Sequence, residues 1–125
     1  VHLQPRVTPR PPLLAAKRYA VTYRHTGGLT GRGKEYPTAI VADWGNQEFL
    51  DDMAMVDYAI AQGLVDPDKR GVGGLSYGGI STDVIITQTT RYKAAISGPG
   101  AALFASLYGH ERYFRANALE LGYLW

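Results

Sequence analysis

Residues Gly74-Leu-Ser-Tyr-Gly78, with Gly79 behind them, set a serine between glycines at a spacing that suits nucleophilic catalysis. G-x-S-x-G is the pattern of a sharp strand-to-helix turn that holds a serine hydroxyl clear of the sheet. Such a turn strains the serine backbone. A side chain two positions before or two after it is expected to strike the neighbouring strand or helix, which accounts for glycine at both 74 and 78. Ser76 is therefore the candidate nucleophile. It falls where a helix would begin, so the backbone N–H of the next residue, Tyr77, is the candidate oxyanion donor. The competing reading is a structural serine in a glycine-rich turn.

The flanks decide between the two. Arg70-Gly-Val-Gly-Gly-Leu75 is short and small enough to be a buried strand. Gly79–Gln88 fits a helix with Ile80, Val84 and Ile85 facing inward. Tyr92–Ser97 then reads as a second strand, ended by Gly98-Pro99-Gly100. Strand, turn, helix, strand is the context that an exposed nucleophile requires.

Other segments follow from composition. Residues 1–12 hold four of the seven prolines and read as an arm or linker. Leu13–Lys17 fits a helix end, and Tyr19–Tyr23, β-branched and aromatic, a strand. His25–Gly33, with four glycines, is a loop, and Lys34–Trp44 is ambiguous because Pro37 interrupts it. Glu48–Gln62 is the clearest helix, its apolar stripe running through Phe49, Met53, Val56 and Ile60. Asn46 is a plausible N-cap, Glu48, Asp51 and Asp52 favour the positive end of the helix dipole, and Gly63 suits the residue past the end. Val65–Lys69 is turn chemistry, and 101–108 and 111–121 read as two further helices.

The bulk numbers bound the function. At 125 residues there is room for one small domain. A net charge of +2 gives no case for nucleic acid, and the arginines at 6, 10, 18, 24 and 32 read as a solvated face. Without cysteine there are no disulfides or thiolate metal sites, and no cofactor or metal is expected. No apolar run reaches a membrane span and no leader is visible, so a cytoplasmic setting is favoured.

From about Leu13 to Trp125 the chain resembles the catalytic domain of the prolyl oligopeptidase family of serine peptidases, in its dipeptidyl-peptidase and acylaminoacyl-peptidase-like branch. The resemblance is carried by Leu13–Val21, by Gly31-Arg-Gly-Lys-Glu-Tyr36 with Ala42-Asp-Trp-Gly45, by Asp51–Gly63 with Val65–Arg70, and by Gly71–Gly100. Tyr108-Gly-His-Glu111 and Leu119–Trp125 also fit. It implies an α/β-hydrolase fold, a mostly parallel sheet flanked by helices with a nucleophile elbow. Residues 13–125 would be the N-terminal and central part of that domain. It implies acyl transfer through Ser76 on a peptide or ester substrate, with the Tyr77 N–H in the oxyanion hole and the Tyr77 side chain as an apolar wall.

The departures are as informative. In such hydrolases the chain order is Ser, Asp, His. After Ser76 the acids are Asp83, Glu111 and Glu120 and the only histidine is His110, none placed where the family carries its acid and base. The chain reads as stopping ahead of both, and as inactive or weakly active alone. The family's first oxyanion turn should precede Leu13, where the proline-rich start does not match it; His25-Thr-Gly-Gly28 looks similar but falls after the Tyr19–Tyr23 strand. The sheet would have a gap unless residues 1–7 fill it. An unpaired edge at Tyr92–Ser97 would invite self-association. Two other readings stand beside the hydrolase: a non-catalytic interaction or oligomerisation module, and a nucleotide binder using Gly71-Val-Gly-Gly-Leu-Ser76. The second only approximates G-x-G-x-x-G and follows the polar Pro67–Arg70 instead of an apolar strand.

Overall fold

The computed structural model describes residues 10–22, 33, 35–109 and 114–122. Helices α1 (Arg10–Ala16), α2 (Glu35–Thr38) and α3 (Gln47–Ala61) precede strand β1 (Gly71–Gly74). Helix α4 (Tyr77–Gln88) leads to strand β2 (Ala94–Ser97), and α5 (Phe104–Leu107) and α6 (Phe114–Leu121) follow. The strands pair in parallel, Gly71 opposite Ala94 through Gly74 opposite Ser97. Backbone bonds from Lys93 N–H to the Arg70 carbonyl (2.8 Å) and from Gly98 N–H to the Gly74 carbonyl (2.8 Å) extend the ladder at both ends. Helix α4 packs on both strands and on α3. This β–α–β unit is the strand, turn, helix, strand order expected from the sequence.

Among the described residues the buried apolar ones are Ala59 of α3, Ile80 and Ile85 of α4 and Ala118 of α6. Thr82 is enclosed beside them, its hydroxyl donating to the Gly78 carbonyl at 2.7 Å. Val84, also expected inside, is half-buried. In α3 the stripe through Phe49, Met53, Val56 and Ile60 is half-buried, while the most enclosed positions are Glu48 and Ala59, three turns apart on one face. Gly63 ends the helix as expected, at φ 67° with its N–H on the Ile60 carbonyl at 2.9 Å. Asn46 stands at the N-cap position without capping: its backbone is already helical, and its amide donates to Asp43 at 3.1 Å. In the following turn Asp66 accepts the Asp68 N–H at 2.8 Å.

Several expectations need correction. Helix α1 begins inside the expected arm, because Pro11 and Pro12 fall in its first turn, where backbone N–H groups have no intrahelical partner to lose. Residues 1–9 lie outside the described residues. Residues 19–22 form no strand, and Tyr23 is outside; β propensity makes a strand only where a ladder partner is available. Of 101–108 only α5 is helical, since Leu103 is extended at φ −104° and ψ 95°. Strand β1 is not buried but alternates between exposed and half-buried, and β2 is exposed throughout, with Ile96 at 76%. Among the described residues α4 is the helix packed on both strands, and β2 stays exposed along its length. No described helix is long and apolar enough to cross a membrane.

Candidate active site

Strand β1 ends at Gly74, Leu75 and Ser76 make the turn, and α4 begins at Tyr77. Ser76 sits at φ 57° and ψ −123°, a region that a side-chain-bearing residue enters only under constraint. It is exposed, and its side chain makes no capping bond to the helix behind it. This is the strained strand–helix junction expected from the motif.

Sterics hold the turn. A Cβ on Gly74 would lie 2.4 Å from the carbonyl carbon and oxygen of Gly78. One on Gly79 would lie 2.7 Å from the Gly98 carbonyl oxygen. Gly78 departs from expectation: a Cβ there meets nothing within 4 Å. The crowding is one-sided, with Gly74 approaching the helix backbone. From the other side the Ser76 N–H donates to the Pro99 carbonyl at 2.6 Å, so the Gly98-Pro99-Gly100 loop closes on the elbow.

Tyr77 places its N–H at the first position of α4 and sends its side chain toward α3. Its ring meets that of Trp44 edge-on, with centroids 5.0 Å apart at 85°, and Trp44 meets Phe104 in the same way at 5.8 Å. The Tyr77 hydroxyl donates to the Glu48 carboxyl group. The side chain is thus no purely apolar wall; its polar end is bound. Glu48 is 2% exposed and also accepts the Gly45 N–H at 3.0 Å. Gly45 has φ 91° and a Cβ there would lie 2.8 Å from Val84 Cγ1, so the turn before α3 lies directly on α4. The sequence pattern pointed to Ser76 and Tyr77 but missed Glu48 as a partner, treating it as a dipole charge. The only local sign is an acid three residues after a glycine at a helix start.

Asp83, the one other polar candidate whose side chain is described, is not brought together with Ser76. Asp83 is seven residues further along α4, about two turns on. It lines a groove of about 180 Å³ with Val84, Thr87 and Phe104, and Ser76 is not part of that wall. His110 and the Glu111 beside it lie outside the described residues, as do His2 and His25. Among the described residues no three His, Asp or Glu side chains gather where they could hold a metal ion.

Comparison with known proteins gives this geometry its setting. The profile of the prolyl oligopeptidase family matches residues 5–123. The uncharacterized peptidase YuxL of Bacillus subtilis (strain 168) is 41% identical over 98 residues, covering 78% of this chain and 15% of YuxL. Dipeptidyl aminopeptidase BIII of Pseudoxanthomonas mexicana is 34% identical over 76 residues, 61% of this chain and 11% of that enzyme. A solved acylaminoacyl peptidase from Pyrococcus horikoshii superposes with a TM-score of 0.72 at 21% identity, over 78% of this chain and 16% of its own. That likeness speaks to the fold, an α/β hydrolase. The chain therefore spans 11–16% of the length of these relatives. A profile match running over nearly all its residues, on a parallel β–α–β unit with a strained serine at its turn, makes this chain a member of the prolyl oligopeptidase family.

Proposed function

We propose that these residues carry the nucleophile of a serine peptidase of the prolyl oligopeptidase type. Ser76 Oγ gives its proton to a base and attacks the carbonyl carbon of a peptide or ester; the C–N or C–O bond breaks, the amine or alcohol leaves with that proton, and water then hydrolyses the acyl-enzyme to the acid and free Ser76. The Tyr77 N–H stabilises the oxyanion that develops on the carbonyl oxygen. The observation that carries this reading is the Ser76 backbone at φ 57° between a parallel strand and a helix start, in a chain of this family. That strain costs about 1–3 kcal/mol and persists only where its surroundings enforce it.

A serine hydroxyl needs a base. In this reading neither Asp83 nor His110 serves, and the acid and base are assigned to no described residue. The 125 residues by themselves are therefore expected to turn over substrate slowly or not at all. The test uses the protein expressed from its complete reading frame, with a fluorophosphonate probe and a peptide arylamide. Labelling at Ser76 and turnover, both lost in Ser76→Ala, support the reading; turnover that survives Ser76→Ala ends it. A second reading, a non-catalytic interaction module, is favoured by the open face of β2, and it predicts no labelling in any context.

A further inference from the structure

We infer that Glu48 is a positioning residue for the acyl-transfer step, acting through the side chain of Tyr77. The inference rests on the serine-peptidase reading. The residue that follows the nucleophile has two jobs in this fold. Its N–H must point at the developing oxyanion, and its backbone must hold Ser76 in the strained φ,ψ pair. Small rotations of one peptide unit would spoil both. The Gly74–Gly78 contact fixes the turn from the strand side, and the Ser76 bond to the Pro99 carbonyl fixes it from the loop side. Toward α3, the Tyr77 side chain does the fixing.

That side chain is held along its length. Its ring lies edge-on to Trp44, and its hydroxyl donates to Glu48. Glu48 is anchored in turn: it is 2% exposed, sits in the first turn of α3, and takes the Gly45 N–H on its other oxygen. Gly45 is pressed on Val84 of α4, the helix that Tyr77 opens. The loop is closed: α4 carries Tyr77, Tyr77 reaches Glu48, Glu48 grips Gly45, and Gly45 rests on α4. A buried acceptor with both oxygens used fixes the far end of the Tyr77 side chain, and so the peptide that carries its N–H. Catalytic groups held this way owe their efficiency to pre-set geometry.

Steady-state kinetics on the protein from its complete reading frame tests this, with an activated ester and a peptide arylamide, at a temperature well below melting. Tyr77→Phe removes only the hydroxyl and keeps the ring on Trp44. Displaced catalytic geometry costs up to about a hundredfold, so Tyr77→Phe and Glu48→Leu are each expected to lower kcat on the order of tenfold, with KM little changed. The double variant is expected to be no slower than the slower single one, because both remove the same link. Glu48→Gln is expected to recover most of the kcat lost in Glu48→Leu. Its amide oxygen can accept from Gly45 while its amide nitrogen donates to the Tyr77 oxygen. An unchanged kcat in Tyr77→Phe overturns the inference, even if Glu48→Leu fails to fold. So do losses that simply multiply in the double variant. Ser76→Ala is run alongside. If it retains activity, or if Ser76 is never phosphonylated, the serine reading fails and takes this inference with it. If Ser76→Ala is dead while Tyr77→Phe is unimpaired, the serine reading stands and Glu48 is only structural.

Discussion

At Ser76 the backbone is held by contact, and the contact is unequal across the motif. A methyl on Gly74 would have to occupy the space of the Gly78 carbonyl group, and backbone cannot swing aside as a side chain end can. Gly74→Ala is therefore expected to destabilise the protein by about 1–3 kcal/mol, the usual range for overpacking. Gly78→Ala has open space and sits in a helix, where alanine is better than glycine by up to about 1 kcal/mol. It is expected to be neutral or slightly stabilising. Urea melts of the two variants check both; equal losses would mean that the one-sided crowding is wrong. A different residue carries a pH dependence. Asp66 has its carboxyl held below the ordinary carboxylate range, first by the Asp68 N–H and then by Lys69 at 3.3 Å. A lowered folded-state pKa adds stability above the unfolded value, and that stability is lost as pH falls through the folded value. The difference in melting temperature between wild type and Asp66→Asn is expected at neutral pH and should close in acid. A gap that widens on acidification would reverse the sign.

Among the elements, one polar tie joins α3 to α4 and a second joins α3 to the segment just past α4. In the first Glu48 holds Tyr77; in the second Arg91 reaches Asp57 and lies 3.6 Å from the Met53 sulfur. The Arg91 and Asp57 side chains are 30% and 64% exposed, so solvent screens the pair. Asp57→Ala is expected to cost under about 1 kcal/mol. Arg91→Ala should cost more, because its guanidinium also contacts the Met53 sulfur. In denaturant melts the Asp57 effect should shrink in high salt and the excess at Arg91 should persist. None of this pairing was legible in the sequence, since residues 29 and 34 positions apart meet only once α4 and the segment after it lie against α3. Local rules worked where the signal is local. The glycines around Ser76 demanded the elbow, the spacing of Phe49, Met53, Val56 and Ile60 gave α3, and Gly63 gave its end. They failed where a partner decides. Tyr19–Thr22 has strand-forming residues and no ladder, and Gly71–Gly74 has a ladder and little to cover it. They failed again at Pro11 and Pro12, which mark a helix start as readily as an arm.

For the whole molecule, the balance between covered and open surface sets its behaviour. Among the described residues the buried apolar side chains are Ala59, Ile80, Ile85 and Ala118, while Ile96, Leu103 and Leu119 are 76%, 67% and 75% exposed. Strand β2 is exposed along its length and pairs with β1 alone among the described residues. A strand with open backbone groups on its outer side is a template for another strand, and natural sheets protect such edges with charge, proline or a covering element. Ala94-Ala-Ile-Ser97 carries none of the charges or prolines that would do so. Apolar area left open on one face adds a second drive to associate. The 125-residue chain is therefore expected to self-associate at micromolar concentration. A charge placed on the most exposed position should oppose that without touching the elbow, so Ile96→Lys is expected to shift the distribution toward monomer. Sedimentation velocity on both chains at several concentrations decides it. A wild-type chain that runs as a compact monomer with a cooperative melt would mean that this face is already covered, and residues 1–9, rich in proline and next to α1, would be the first segment to delete. If that deletion then produced association which Ile96→Lys reversed, the open face would be real and its cover located in the arm; if it changed nothing, the edge would not drive association at all.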